Sequence, residues 1–385
     1  PPRSTLFPYT TLFRSWADFD AESGGVAVLN VSTPSSPTRI SPVDLETVAG
    51  EPRGVFVKDN IAYVACGGSG LHVIDESTPT SPSELGYVDT PSYAYSVTVS
   101  GTNAFVADGG SGLQIIDVSV PASPSIVCCK DTAKEANDVA VANGLEYVAD
   151  GDNGGLLVLR WNGGGGGCGA SADEALRMEK VATVGTTGFA VAVDVSGNFA
   201  YVGEGSQLDV FDITTKSAPL NVKQVSLKGT ATDVKVLNGV AYVSVGAAGL
   251  QTVNVSTPGS ASVLDDITLP GFAEAVAVSG TTVYVAAGDG GMQVIDASAP
   301  ANLTKLGSYS TANRWATDVT LAGNVAYLLS TDFDVSSSSV ELVSVSTPAS
   351  PSLQKAYLNQ LSGEARGIVV GNNRAFISLG GAGFL

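Results

Sequence analysis

The sequence predicts an all-β fold, a β-propeller of four-stranded antiparallel blades, on three observations. A phrase of about ten residues recurs, as Gly70-Leu-His-Val-Ile-Asp75, Gly112-Leu-Gln-Ile-Ile-Asp117, Gln207-Leu-Asp-Val-Phe-Asp212, Gly249-Leu-Gln-Thr-Val-Asn254 and Gly291-Met-Gln-Val-Ile-Asp296. Gly70 and Gly112, Gln207 and Gly249, and Gly249 and Gly291 each stand 42 residues apart. A period in the forties built from short strands is the mark of a repeat architecture of propeller type. Between copies of the phrase lie apolar runs rich in Val, Ile, Tyr and Ala, bounded by Gly, Asn, Ser and Pro, which are strand and turn signals. No segment has the apolar spacing of a long amphipathic helix.

Each unit reads as four strands, A to D from the central channel outward. The A–B link is a tight hairpin, as at Ser100-Gly-Thr102, Asn143-Gly144, Asn238-Gly239 and Gly323-Asn324, where Gly and Asn supply the positive φ of two-residue turns. The B–C link is Gly-rich, as at Asp108-Gly-Gly-Ser-Gly112 and Asp289-Gly-Gly291. The C–D link carries Ser, Thr and Pro, as at Ser77-Thr-Pro79, Ser256-Thr-Pro258 and Ser346-Thr-Pro348. Proline is tolerated there because it lies outside the ladder. Strand A is expected to begin near Gly54, Ser96, Asp138, Ala192, Asp233, Ala275, Asp318 and Gly367.

These starts divide the chain into complete blades at about 51–90, 91–133, 134–186, 187–228, 229–270, 271–312 and 313–362. The last residues, 363–385, supply only strands A and B of a further blade, and 16–50 supply its C and D. Joining them gives eight blades, one split between the termini; seven is the alternative. Closure would remove the exposed sheet edges of an open array. Trp16-Ala-Asp18 resembles the tail of another strand B, which suggests that the native chain continues upstream. Residues 1–15 hold a near-duplication unrelated to the repeat and resemble a translated sequencing adaptor. They are set aside as non-native, and any native signal peptide is not present in this fragment.

The formal net charge is −18 and the pI about 4.3. That balance argues against nucleic acid, which wants a basic patch, and against anionic membrane surfaces. No apolar run reaches the roughly 18 residues of a membrane span.

The repeated Gly-Leu-x-Val-Ile-Asp-x-Ser-x-Pro, preceded by Tyr-Val-Ala-Asp-Gly-Gly, is complete at Phe105-Val-Ala-Asp-Gly-Gly-Ser-Gly-Leu-Gln-Ile-Ile-Asp-Val-Ser-Val-Pro121. It resembles the LVIVD-repeat family of β-propellers, found in bacterial and archaeal secreted or cell-surface proteins. The resemblance runs from Trp16 to Leu385. Blade three departs from it at Leu159-Arg160-Trp161, and blade seven at Val343-Ser344. It implies the propeller fold and an extracellular or cell-surface setting. It carries no catalytic motif and transfers no functional residue.

Candidate chemistry is sparse. The Asp that ends strand C (Asp75, Asp117, Asp212, Asp296) recurs as a turn cap would, accepting backbone N–H bonds. Asp150 and Asp152 open a calcium-like run of alternate oxygens, but the Glu that such a loop needs about eight residues on is absent; calcium is the only cofactor suggested, and Asp332 with Asp334 is a similar fragment. The four cysteines, Cys66, Cys128, Cys129 and Cys168, and the single histidine, His72, lack zinc-site spacing. Buried free thiols are expected, with one adventitious disulfide as the alternative, and His72 is expected to pack between blades.

The positions that vary most informatively precede strand A. There the chain reads x-Ala: Glu51-Pro52, Tyr93-Ala94, Glu135-Ala136, Phe189-Ala190, Thr230-Ala231, Phe272-Ala273, Trp315-Ala316 and Glu364-Ala365. Seven of the eight x residues are aromatic or Glu. In an antiparallel blade the D–A and B–C links share one face, so Glu51, Tyr93, Glu135, Phe189, Phe272, Trp315 and Glu364 are expected around the channel mouth as ligand-binding candidates. Aromatic faces and carboxylates suit sugars or cationic groups; the alternative is that they fill space between blades. The expected function is a non-catalytic binding or scaffold module for a glycan or protein. The rivals are a glycan-active hydrolase or lyase using carboxylates at the mouth, and a spacer for other domains.

Overall fold

The computed structural model describes residues 25–30, 38–41, 52–75, 77, 83–132, 134–142, 144–151, 155–162, 178–184, 189–215, 218–332, 337–362, 364–371 and 374–380. Seven blades are built from consecutive strands. Blade one has strand A at Gly54–Lys58, B at Ile61–Ala65, C at Leu71–Asp75 and D at Ser83–Val88, hydrogen-bonded in that order and antiparallel throughout. The innermost strands of blades two to seven are Ser96–Ser100, Ala136–Ala142, Ala190–Ser196, Asp233–Leu237, Ala275–Ser279 and Trp315–Ala322. A further four-stranded sheet joins the two ends of the chain: Glu364–Gly371 innermost, then Arg374–Gly380, Gly25–Asn30 and Thr38–Ser41. Its central seam pairs Gly25 with Leu379 and Asn30 with Arg374.

Each innermost strand neighbours the next, and Glu364–Gly371 lies beside both blade seven and blade one. The composite sheet packs Ile368, Ala375 and Ile377 against Tyr327, Leu329 and Leu342 of blade seven, and Val369 against Val64 and Ile74 of blade one. Strands B and C are buried on both faces, because every blade is sandwiched between two others. Ala62–Ala65 and Leu71–Ile74 are buried without interruption, as in sheets covered on both sides, so these strands are not the half-buried alternating strands of an open sheet.

Two departures from the expected register have physical causes. In the third and fourth blades strand A begins two residues early, at Ala136 and Ala190, and in the seventh blade and the composite sheet three residues early, at Trp315 and Glu364, with a bulge before Asp138, Ala192, Asp318 and Gly367. In every complete blade a second bulge interrupts the C–D pairing after the residue that follows x in the phrase, for example between Val73 and Ile74. Such a bulge increases the twist of the outer strand.

The Asp that ends strand C caps its own turn. Asp75, Asp117, Asp212 and Asp296 accept the backbone N–H of Ser77, Ser119, Thr214 and Ser298 at 2.7–2.8 Å. Hydrogen bonds from Ser119 and Ser298, and from Thr214, hold the carboxyls of Asp117, Asp296 and Asp212 below the usual carboxylate range.

Among the described residues no helix is long and apolar enough to cross a membrane; this says nothing of β-barrels.

Candidate functional site

The D–A and B–C links meet on one face, as backbone bonds between neighbouring blades show. Gly67 of the first B–C turn exchanges two bonds with Ala94 (3.1 and 3.0 Å), Gly109 with Ala136, and Gly288 with Ala316. These glycines are held at φ +49°, +47° and +54°, in the left-handed region that favours glycine. Space demands glycine as well. A Cβ on Gly67 would meet the Tyr93 ring at 2.7 Å, on Gly246 the Phe272 ring at 2.7 Å, and on Gly288 the Trp315 ring at 2.8 Å. Tyr93, Phe272 and Trp315 therefore each lie on the glycine of the preceding blade's B–C turn.

Of the predicted mouth residues, Tyr93, Phe272 and Trp315 are half-buried, and Glu135 and Phe189 are exposed. Glu51 and the side chain of Glu364 lie outside the described residues, as do Asp152, Asp334 and Cys168. The geometry brings Phe272 and Trp315 together, with ring centroids 6.4 Å apart.

The sequence reading missed the residue after x-Ala. It is Arg53, Tyr95, Asn137, Val191, Thr232, Glu274, Thr317 and Arg366 in successive copies, and Arg53, Asn137, Thr232 and Glu274 reach the next blade. Arg53 donates from Nε and a terminal nitrogen to the Tyr93 hydroxyl at 3.1 and 3.0 Å. Its guanidinium lies 5.1 Å from the Tyr93 ring centre and 5.9 Å from that of Tyr95, within cation–π range. The Trp315 indole N–H donates to Glu274 at 2.9 Å, Asn137 donates to the Ala190 carbonyl at 3.2 Å, and Thr232 donates to the Ala273 carbonyl at 2.8 Å. The signal was available: residues on either side of a small Ala in an extended chain point the same way. The mouth thus holds two clusters, Arg53–Tyr93–Tyr95 and Phe272–Glu274–Trp315.

A second group was also missed. The x of Gly-Leu-x-Val-Ile-Asp is polar and buried in six of the seven blades: His72, Gln114, Asp209, Gln251, Gln293 and Glu341. A polar residue recurring inside a strand covered on both faces signals an internal tether. Gln114 and Gln293 donate to carbonyls of their own B–C turns, at Ser111 and Gly290. Gln251 accepts the backbone N–H of Lys228 at 2.6 Å, holding a D–A link. In blade seven Glu341 is wholly buried and binds Arg314, the residue before Trp315. Ser330 bonds both partners, and the Thr311 hydroxyl donates to the Arg314 carbonyl. Ala312 and Asn313, in the same link, sit at φ +52° and +74°. In blade two Asp108 serves the same end: the Thr90 hydroxyl and the Ser92 N–H donate to it at 2.6 and 3.1 Å, fixing the link to Tyr93. Burial pushes its carboxyl up to about 6.

Below the mouth, carboxylates line the channel wall and join blades. Asp138, Asp194, Asp233 and Asp318 each accept the N–H of the following residue and that of a residue on the next innermost strand: Val193, Val236, Val276 and Ile368 respectively. Lys235 stands among them, its Nζ 3.4 Å from Asp233, and the Asp233 charge holds its ammonium well above the ordinary range. Burial raises Asp138, and Asp318 to about 6.

His72 is buried, its Nδ1 2.9 Å from Glu84 and its ring stacked on Tyr87; burial lowers its pKa against the opposing pull of Glu84. Cys66 and Cys128 are buried thiols. Cys129 is disulfide-bonded, the alternative to buried free thiols; Cys128 and Cys129 are adjacent in one strand and point to opposite faces. Asp150 is buried at the end of its strand B. Among the described residues no group of three His, Cys, Asp or Glu is placed to hold a metal ion.

A family model described as the LVIVD repeat matches residues 49–90, 91–132, 133–159, 187–226, 228–264 and 270–311, together more than half of the chain. The chain belongs to the LVIVD-repeat family. The third LVIVD match ends at Leu159, where Arg160 and Trp161 replace the expected continuation. No curated protein matches the chain. Similar solved structures include the computationally designed Ika8 protein, with 12% identity, TM-score 0.67 and coverage of 86% of this chain and 94% of that one. Sqt1 from Chaetomium thermophilum has 16% identity and TM-score 0.66, over 86% and 97% of the two chains. BamB from Moraxella catarrhalis has 14% identity and TM-score 0.55, over 80% and 87%. At these identities the likeness extends to the fold alone.

Proposed function

We propose that this LVIVD propeller is a non-catalytic binding module of an extracellular or cell-surface protein, with an eight-bladed ring closed through the composite sheet, and that its partner, a glycan or a protein, seats on the channel mouth. One observation carries the reading. On the face shared by the D–A and B–C links, two clusters of ring and charged side chains are each assembled from two successive blades, and Tyr93, Phe272 and Trp315 keep part of their surface in solvent. The links that carry Tyr93 and Trp315 are tethered from within, by Asp108 and by Glu341, so these rings are presented on a fixed frame, as preorganised binding surfaces are. The disulfide at Cys129 accords with an oxidising compartment. The test is a screen of the purified chain on glycan and peptide arrays beside Trp315→Ala. Signals lost in the variant support the mouth as the binding face; equal signals from both proteins refute it.

A further inference from the structure

We propose that the Phe272–Glu274–Trp315 cluster receives an arginine side chain from an extended basic segment of a partner protein. The inference rests on the channel mouth being the binding face and names what that face takes.

The molecule contains its own precedent. At the other cluster an arginine lies over two mouth rings, Arg53 on Tyr93 and Tyr95, and bonds the hydroxyl of the first. Arg53 is the residue after x-Ala (here x-Pro) in blade one, and Tyr93 is the x of blade two. Glu274 and Trp315 occupy the same two positions in blades six and seven. The aromatic residue is retained there, and the place of the internal cation is taken by a carboxylate. The second ring is Phe272, whose centroid is 6.4 Å from that of Trp315, with 32° between the planes. Both rings rest on glycine, Gly246 and Gly288, and form one aromatic floor beside the Glu274 carboxylate. Arg314, the cation nearest in sequence, is turned inward onto Glu341.

Charge decides between a cation and a neutral sugar. The chain carries a formal −18, and Asp318 lines the channel wall in blade seven beside blade six, whereas Asp233 in blade five is paired with Lys235. That field attracts a cation and gives nothing to an uncharged hydroxyl ligand. A guanidinium is planar, weakly hydrated and able to stack on a ring while its N–H groups reach a carboxylate.

The test follows the Trp315 indole N–H, which bonds Glu274, by NMR of the ¹⁵N-tryptophan-labelled chain. Three ligands are titrated at physiological salt: a hexapeptide of alternating glycine and arginine, the same peptide with neutral citrulline in place of arginine, and cellohexaose. The arginine peptide is expected to move the Trp315 signal saturably, and the citrulline peptide and the sugar to leave it in place. Glu274→Gln, which keeps an acceptor for the indole and removes the charge, is expected to weaken the peptide by about fivefold or more. Asp59→Asn, which removes one charge from an A–B hairpin on the opposite face, should change it by less than about twofold. Equal effects of the two substitutions, or equal shifts from the arginine and citrulline peptides, overturn the proposal. Saturable binding of cellohexaose at Trp315 without the arginine peptide overturns it too and leaves the mouth standing as the binding face. Silence of the Trp315 signal toward every ligand, together with array signals indifferent to Trp315→Ala, overturns both.

Discussion

The links that present Tyr93 and Trp315 do one job with different electrostatics. The Tyr93 link is held by Asp108 through a hydroxyl and a backbone N–H, with no opposing cation among those contacts. The Trp315 link is held by a buried ion pair, Arg314 on Glu341, and contains two left-handed residues that are not glycine. A carboxylate bound by neutral donors loses a hydrogen bond when altered. A buried charge pair, once broken, leaves an uncompensated charge in the interior. The two rings therefore stand on supports of unequal fragility.

The largest way to break this comparison is Glu341→Gln, which leaves the Arg314 charge unpaired inside blade seven. It is expected to cost about 3–5 kcal/mol in denaturant unfolding, and pairing it with Arg314→Met should recover most of that loss. A double variant no more stable than Glu341→Gln would show that the ion pair is not what holds the link.

A smaller effect is expected from Gly288→Ala. Its left-handed backbone and the 2.8 Å approach of the added Cβ to the Trp315 ring predict a loss of roughly 1–2 kcal/mol and a shifted Trp315 fluorescence. An unshifted spectrum would mean that the ring does not rest on that glycine.

The smallest effect belongs to Asp108. Burial raises its pKa from 3.8 to about 6, so within that window the folded chain holds a proton that the unfolded chain has released. Stability from this group therefore grows as pH falls through about 6 toward 3.8 and is lost as pH rises. Asp108→Asn should flatten that part of a melting-temperature profile; an unchanged slope would assign the pH dependence to other carboxyls, such as Asp318.

The fold was legible because propeller blades repeat their rules: one copy of Gly-Leu-x-Val-Ile-Asp is ambiguous, and five copies with three intervals of 42 residues are not. The Asp75-type turn cap was legible for the same reason, since its chemistry is local. Much of the mouth was not. Tyr93, Phe272 and Trp315 were found by their variation, while Arg53 and Glu274 were overlooked because their contacts lie on the neighbouring blade, about 40 residues away. The tethers were hidden by their surroundings. Gln251 and Glu341 read as blemishes in an apolar strand until the loop that each one holds is seen beside it. Cys129 shows a further limit: pairing depends on which face of a strand a thiol occupies, and a sequence of adjacent cysteines does not reveal the partner.

The composite sheet has a consequence of its own. Its seam joins residues near 28 to residues near 376, whereas the other ladders join strands that follow one another in the chain. Closing so long a span carries the greatest chain-entropy cost in the molecule, and contacts of such separation form slowly. The eight-bladed ring proposed above is a bracelet with one clasp: the other blades zip locally, and the clasp is the step that turns a curved row of blades into a circle.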